Sequence, residues 1–172
     1  MIIPGALETQ IREGRVVVVL GAGASLDSTD EHGNHPPRTG DLISALSDRF
    51  LGKKFKDLGL NQVAEYAINE TDLMSVQEFI RELLTPFKPS RAHRLLPSFV
   101  WRGIATTNYD RLIELAYESE PNALQTPRVF IENGDRVDDK MRDRRAVMLL
   151  KLHGCITRTT RPECPLILTT EQ

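Results

Sequence analysis

The sequence predicts an α/β fold, a parallel sheet with helices on both faces. Three apolar runs of strand length carry this reading: residues 15–20 (Arg-Val-Val-Val-Val-Leu), 102–107 (Arg-Gly-Ile-Ala-Thr-Thr) and 146–152 (Ala-Val-Met-Leu-Leu-Lys-Leu). Segments with helical spacing of apolar residues lie between them, the alternation that builds parallel sheets. Each run also ends in small or polar residues, at 21–25, 107–110 and 153. Open α/β sheets gather their functional groups at that carboxyl edge, so three such clusters are expected to converge on one pocket.

Taken in order, residues 5–13 predict a short helix ended by Gly14, and 15–20 a buried strand. Residues 27–40 are all polar, Gly or Pro and predict a surface loop beside the first strand end. A helix follows over 41–51, with Leu42, Ile43, Leu46 and Phe50 on one face, and another over 60–69. Ser75 and Glu78 form a capping-box pattern that opens a helix through Leu84, stopped before Pro86. Ser90 caps a helix through Phe99. Beyond the second strand, Asn108 is placed to cap a helix over 109–118 that buries Leu112, Ile113, Leu115 and Ala116. Residues 129–131 predict a short strand, and the mixed charges of 132–145 a solvated linker. No internal repeat or low-complexity tract is visible.

Composition narrows the class. The chain has 172 residues, 40% apolar and 27% charged, the balance of one globular domain with a core, here taken as residues 1–172. A net charge of −2 gives no electrostatic support for direct nucleic-acid binding. Cys155 and Cys164 make no disulfide framework, the N-terminus lacks a signal-like core, and no segment suits a membrane span, so a cytoplasmic location is expected. Residues 165–168 read as a strand and 169–172 as the cap of a further helix. The expectation is therefore the N-terminal part of a longer protein, truncated at its C-terminus.

The first strand delivers its end into Gly21, Ala22, Gly23, Ala24 and Ser25. Glycine lets backbone N–H groups approach a nucleotide pyrophosphate where a Cβ would stand in the way, and Ser25 can cap the next turn or donate to phosphate. Leu26 replaces the third glycine of a Rossmann fingerprint, and Asp41, at the distance of a ribose-binding acid, opens a helix after Pro36 and Pro37. The competing reading is a tight strand–helix turn with no ligand. Taken singly, Asn108 reads as a helix cap, Asp110 as a first-turn acid and Lys151 as an edge or snorkelling residue. His153 is either a strand-end histidine or a general base. His32 and His35, near Asp27, Asp30 and Glu31, match no structural zinc spacing, so no metal is expected. A nucleophilic Cys155 beside His153 lacks an orienting group.

The three clusters together resemble sirtuin-like domains. Residues 21–25 (Gly-Ala-Gly-Ala-Ser), 106–110 (Thr-Thr-Asn-Tyr-Asp) and 152–154 (Leu-His-Gly) occur in the family's order and spacing. Residues 37–43 (Pro-Arg-Thr-Gly-Asp-Leu-Ile), 92–96 (Ala-His-Arg-Leu-Leu) and Lys151 fit as flanks, so the resemblance runs from about residue 12 onward. The zinc-bearing protein deacylases of that superfamily have a four-cysteine module after His-Gly, and Gln-Asn-Ile where this chain has Thr107, Asn108 and Tyr109. The chain is instead similar to the bacterial sirtuin-like NAD hydrolases of anti-phage defence, which deplete NAD in an abortive infection.

That resemblance implies a Rossmann-like sheet and NAD+ as substrate. It implies a pyrophosphate cradle at Gly21, Ala22, Gly23, Ala24 and Ser25, with Thr107 beside it. Asn108 would hold the nicotinamide ribose or the attacking water, Asp110 would fix that loop or the nicotinamide amide, and His153 would be the general base. It also implies a C-terminal or separate sensor partner, and homo-oligomers. An NAD-dependent deacylase and a non-catalytic NAD- or ADP-ribose-binding sensor are the alternatives. A hydride-transferring dehydrogenase is disfavoured by Leu26 and the missing ribose acid.

Overall fold

The structure, a computed structural model, describes residues 3–52, 55, 57–131, 135–160 and 166–168. Its centre is a four-stranded sheet of β1 (Val17–Leu20), β2 (Gly103–Thr106), β3 (Thr126–Phe130) and β4 (Ala146–Lys151), all parallel, in the spatial order β1-β2-β4-β3. Parallel neighbours need long crossovers. Helices α1 (Gly5–Arg12), α2 (Thr39–Leu46), α3 (Leu60–Glu70), α4 (Leu73–Leu84), α5 (Arg91–Leu95), α6 (Leu112–Glu118) and α7 (Val137–Lys140) lie around the sheet. This is the α/β, Rossmann-like arrangement expected.

Partners across a parallel register share a face, so Ile104 with Leu149 and Thr106 with Lys151 face the same way. On that face Ile104, Val147 and Leu149 pack against Leu96, Ile113 and Tyr117, joining the sheet to the α5 region and α6. A second core unites Leu46, Val63, Ala67, Val76 and Ile80 of α2, α3 and α4 with Leu166 and Leu168. Tyr109, in the loop after β2, packs against this second core. Among the described residues no helix is long and apolar enough to cross a membrane.

Several elements depart from expectation for identifiable reasons. β1 is an edge strand, and Val17 and Val19 are 55% and 68% exposed, so it is not the buried strand its composition suggests. α4 starts at Leu73, because the Asp72 carboxylate accepts from the Ser75 N–H at 2.9 Å and caps one turn earlier than Ser75 would. Glu78 is then free to pair with Arg81. β3 begins at Thr126 and tolerates Pro127 because it is the other edge. Within the expected linker, α7 forms, and Lys140 Nζ donates to the Val129 carbonyl at 2.7 Å. Residues 166–168 form no strand; Leu166 and Leu168 are buried in the helical core instead. Cys164, Pro165 and the helix cap expected over 169–172 lie outside the described residues.

Candidate functional site

The three strand-end clusters meet at one cavity of about 470 Å³. Its polar wall holds Ala22, Gly23 and Ser25 after β1, Thr107, Asn108 and Asp110 after β2, and His153 after β4. Pro36, Pro37, Arg38 and Leu42 also line the cavity. Gly21 and Ala24 do not line it. Gly21 stands behind Asn108, and Ala24 closes the turn by donating to the Gly21 carbonyl at 2.9 Å. Two larger clefts, of about 590 and 660 Å³, lie over α6 and β3 and between α4 and residues 156–160, and neither contains the strand-end cluster.

The chain leaves β1 through an extended Gly21 and makes a tight 3-10 turn, Ala22–Ser25. Neither Gly21 nor Gly23 has a positive φ, so backbone conformation does not demand glycine at either position. A Cβ on Gly23, which lines the cavity, would meet nothing within 4 Å. The first N–H groups of such a turn have no acceptor within it, which suits them to an anion. The Ser25 hydroxyl, expected to cap or to meet phosphate, instead donates to Asp110 Oδ2 at 3.0 Å and is buried.

Asn108 does not cap α6, which begins at Leu112. Its side-chain nitrogen donates to the Gly21 carbonyl at 3.1 Å and to Ser25 Oγ at 3.0 Å. The Gly21 carbonyl can only accept, so it fixes the amide orientation and turns Oδ1 the other way. The Asn108 N–H donates to Thr106 Oγ1 at 3.0 Å, which sets the loop after β2. Asp110 takes over the capping: Oδ1 accepts from the Leu112 N–H at 3.0 Å. Together these bonds hold the loop after β2.

His153 is half-buried, 6.4 Å from the Tyr109 ring between centroids, and no partner for its imidazole is found among the described residues. Its carbonyl accepts from the Ile167 N–H at 2.9 Å, and Tyr109 Oη donates to the Ile167 carbonyl at 2.7 Å. One residue, through its N–H and its carbonyl, thus ties the loops after β2 and β4 together. Burial raises the Tyr109 phenol above its ordinary range, which keeps it a donor.

Lys151 is neither an edge nor a snorkelling residue. Its side chain is fully buried, donates to the Asp110 carbonyl and pairs with Glu114 at 3.1 Å. Strand parity held the signal: Lys151 shares its face with the buried Val147 and Leu149, and a lysine on that face must have a partner. Glu114, between the buried Ile113 and Tyr117, carried the matching signal on α6. His93 is also buried, with Nδ1 2.8 Å from Ser90 Oγ. Burial holds it below the usual histidine range, against the opposing pull of Asp110.

The remaining candidates are used locally. Asp41 accepts from the Arg38 N–H at 2.9 Å and caps α2 rather than holding a ribose. The loop over 27–40 is not purely superficial: Ser28 is buried, and Thr29 bridges to Lys88. Asp30 accepts from the backbone of His32 and Asn34, while His35 Nδ1 lies 3.0 Å from the Ser28 carbonyl. No group of three or more His, Cys, Asp and Glu gathers among the described residues. Cys155 is buried, while His153 lines the cavity.

Residues 102–172 match the family described as a SIR2-like domain. No curated protein matches the chain. The matched segment carries Thr107, Asn108, Asp110 and His153, and the glycine turn after β1 lies outside it. The bonds from Asn108 and Asp110 to Gly21 and Ser25 join the two parts of the site. The match supports a sirtuin-like assignment and agrees with an NAD-related function.

Proposed function

We propose that this chain is an NAD+-hydrolysing domain that releases nicotinamide and leaves ADP-ribose. One observation carries the reading most: Asn108 locks the glycine turn to the loop after β2 and turns its amide oxygen away from both acceptors, on a cavity that His153 also lines. The residues suit the substrate. Gly23 leaves room for a pyrophosphate against the backbone, and the first turn after β1 offers N–H groups to it.

In the proposed reaction the C–N bond between ribose and nicotinamide breaks, and both its electrons leave on the pyridine nitrogen, which becomes neutral. Water adds to the resulting oxocarbenium-like carbon. Asn108 Oδ1 orients the water or a ribose hydroxyl, and His153 takes the proton. Asp110 keeps Ser25, and through it Asn108, in place. No metal is needed, because the leaving nitrogen is already cationic.

By the resemblance set out above, the activity would serve anti-phage defence through NAD depletion, switched on by a downstream or separate partner and by assembly. The test is free nicotinamide formed from NAD by the full-length protein with any partner subunit. Wild type should release it, and Asn108→Ala and His153→Ala should not. Release by both variants would remove the assignment. Binding of ADP-ribose without turnover in the assembled complex would favour a sensor, and release only with an acyl-lysine peptide a deacylase.

A further inference from the structure

Lys151 and Glu114 form a charged pair whose side chains are 0% and 8% exposed. Removing two charges from water costs several kcal/mol for each, so such a pair is a weak source of stability, and apolar replacement of both partners is often neutral. Its position shows what else it does. Lys151 is the last residue of β4, two positions before His153, and Glu114 lies one helical turn after Asp110 on α6. The lysine also donates to the Asp110 carbonyl. From there the chain of bonds runs through the Asp110 carboxylate to Ser25 Oγ and on to Asn108 Nδ2 and the Gly21 carbonyl.

We propose that the buried Lys151–Glu114 pair is a positioning strut that sets the Asp110 loop, and through it Ser25 and Asn108, relative to His153. The strut brings β4, α6 and the loop after β2 to a single nitrogen. Its kinetic consequence rests on the NAD-hydrolysis reading; its geometric consequence does not. Loss of the strut frees the Asp110 carbonyl and lets the Asp110 carboxylate drift from the Ser25 hydroxyl, while the apolar packing around Ile113 and Leu149 remains.

The test compares wild type, Lys151→Met/Glu114→Leu and Glu114→Gln in the full chain, by amide hydrogen exchange and by nicotinamide release with the partner present. The double variant should stay folded with a cooperative melt, its stability lowered only by the Asp110 carbonyl that loses its donor. The N–H groups of Ala24, Ser28 and Leu112, which report the glycine turn and the Asp110 cap, should exchange at least about tenfold faster. Nicotinamide release should lose about 10- to 100-fold in kcat with a smaller change in KM, as expected for misplaced groups rather than lost substrate contacts. A folded double variant with unchanged exchange at those amides overturns the strut. If the double variant does not fold, the isosteric Glu114→Gln gives the same readout. If wild type releases no nicotinamide, the NAD reading fails, and the exchange result still decides the strut.

Discussion

The side-chain amide of Asn108 donates to the carbonyl of Gly21 at 3.1 Å, across 87 residues of sequence. It connects the ends of neighbouring strands β1 and β2, so the glycine turn and the Asn108 loop move as one unit. Asn108→Asp keeps the shape and removes the donor. A carboxylate would then face the Gly21 carbonyl with Asp110 nearby, and the expected cost is about 2 kcal/mol of unfolding free energy, together with loss of nicotinamide release. Urea unfolding beside the release assay checks both; an active variant of wild-type stability would show that the bond is dispensable.

Gly23 separates ligand from fold. Its φ is not positive and a Cβ there meets nothing within 4 Å. Gly23→Ala should therefore change stability by no more than about 0.5 kcal/mol. It should weaken ADP-ribose binding by at least about tenfold, since the methyl group occupies the space a pyrophosphate would use. Thermal unfolding and calorimetric titration of the same sample decide it, and unchanged affinity would place the phosphates elsewhere.

Gln77 fastens Thr159 and Leu166 to the helical core. Its buried side chain accepts from the Leu166 N–H at 2.6 Å and donates to the Thr159 carbonyl at 3.4 Å. Gln77→Leu leaves both backbone groups buried without their partner and should cost about 2–3 kcal/mol. Because Ile167 bridges His153 and Tyr109, limited proteolysis should also cut faster around Leu166–Leu168 in the variant.

His93 predicts an acid limit. Burial lowers its folded-state pKa below that of the unfolded chain, so in falling pH the unfolded state takes up the proton first. The stability from a neutral His93 is complete above the unfolded value, near pH 6.5, and is lost as pH falls through the lower folded value. The melting temperature of wild type should drop as pH falls below about 6.5 more steeply than that of His93→Gln. Parallel curves would assign the acid sensitivity to other groups.

The parallel sheet and the edge at which its polar clusters gather were legible in the sequence, because both follow from local signals. Apolar runs of strand length became β1, β2 and β4, and the polar residues that end them necessarily emerge at one edge. Ser90 was read correctly as a cap for the same reason: its target, the His93 N–H, is three residues away. Asn108 and Asp110 each had a local use that the sequence alone favours, as cap and first-turn acid.

Tertiary structure decided which use each residue received. Asn108 finds Gly21 and Ser25 rather than a helix start, and Asp110 takes the capping task and the Ser25 hydroxyl together. Strand order made β1 an exposed edge despite the four valines of residues 16–19, and set Lys151 against Glu114 in the interior. Spacing along the chain cannot specify these outcomes. Each depends on a partner brought near by the crossovers of a parallel sheet, where hydrogen bonds and ion pairs form between groups distant in sequence.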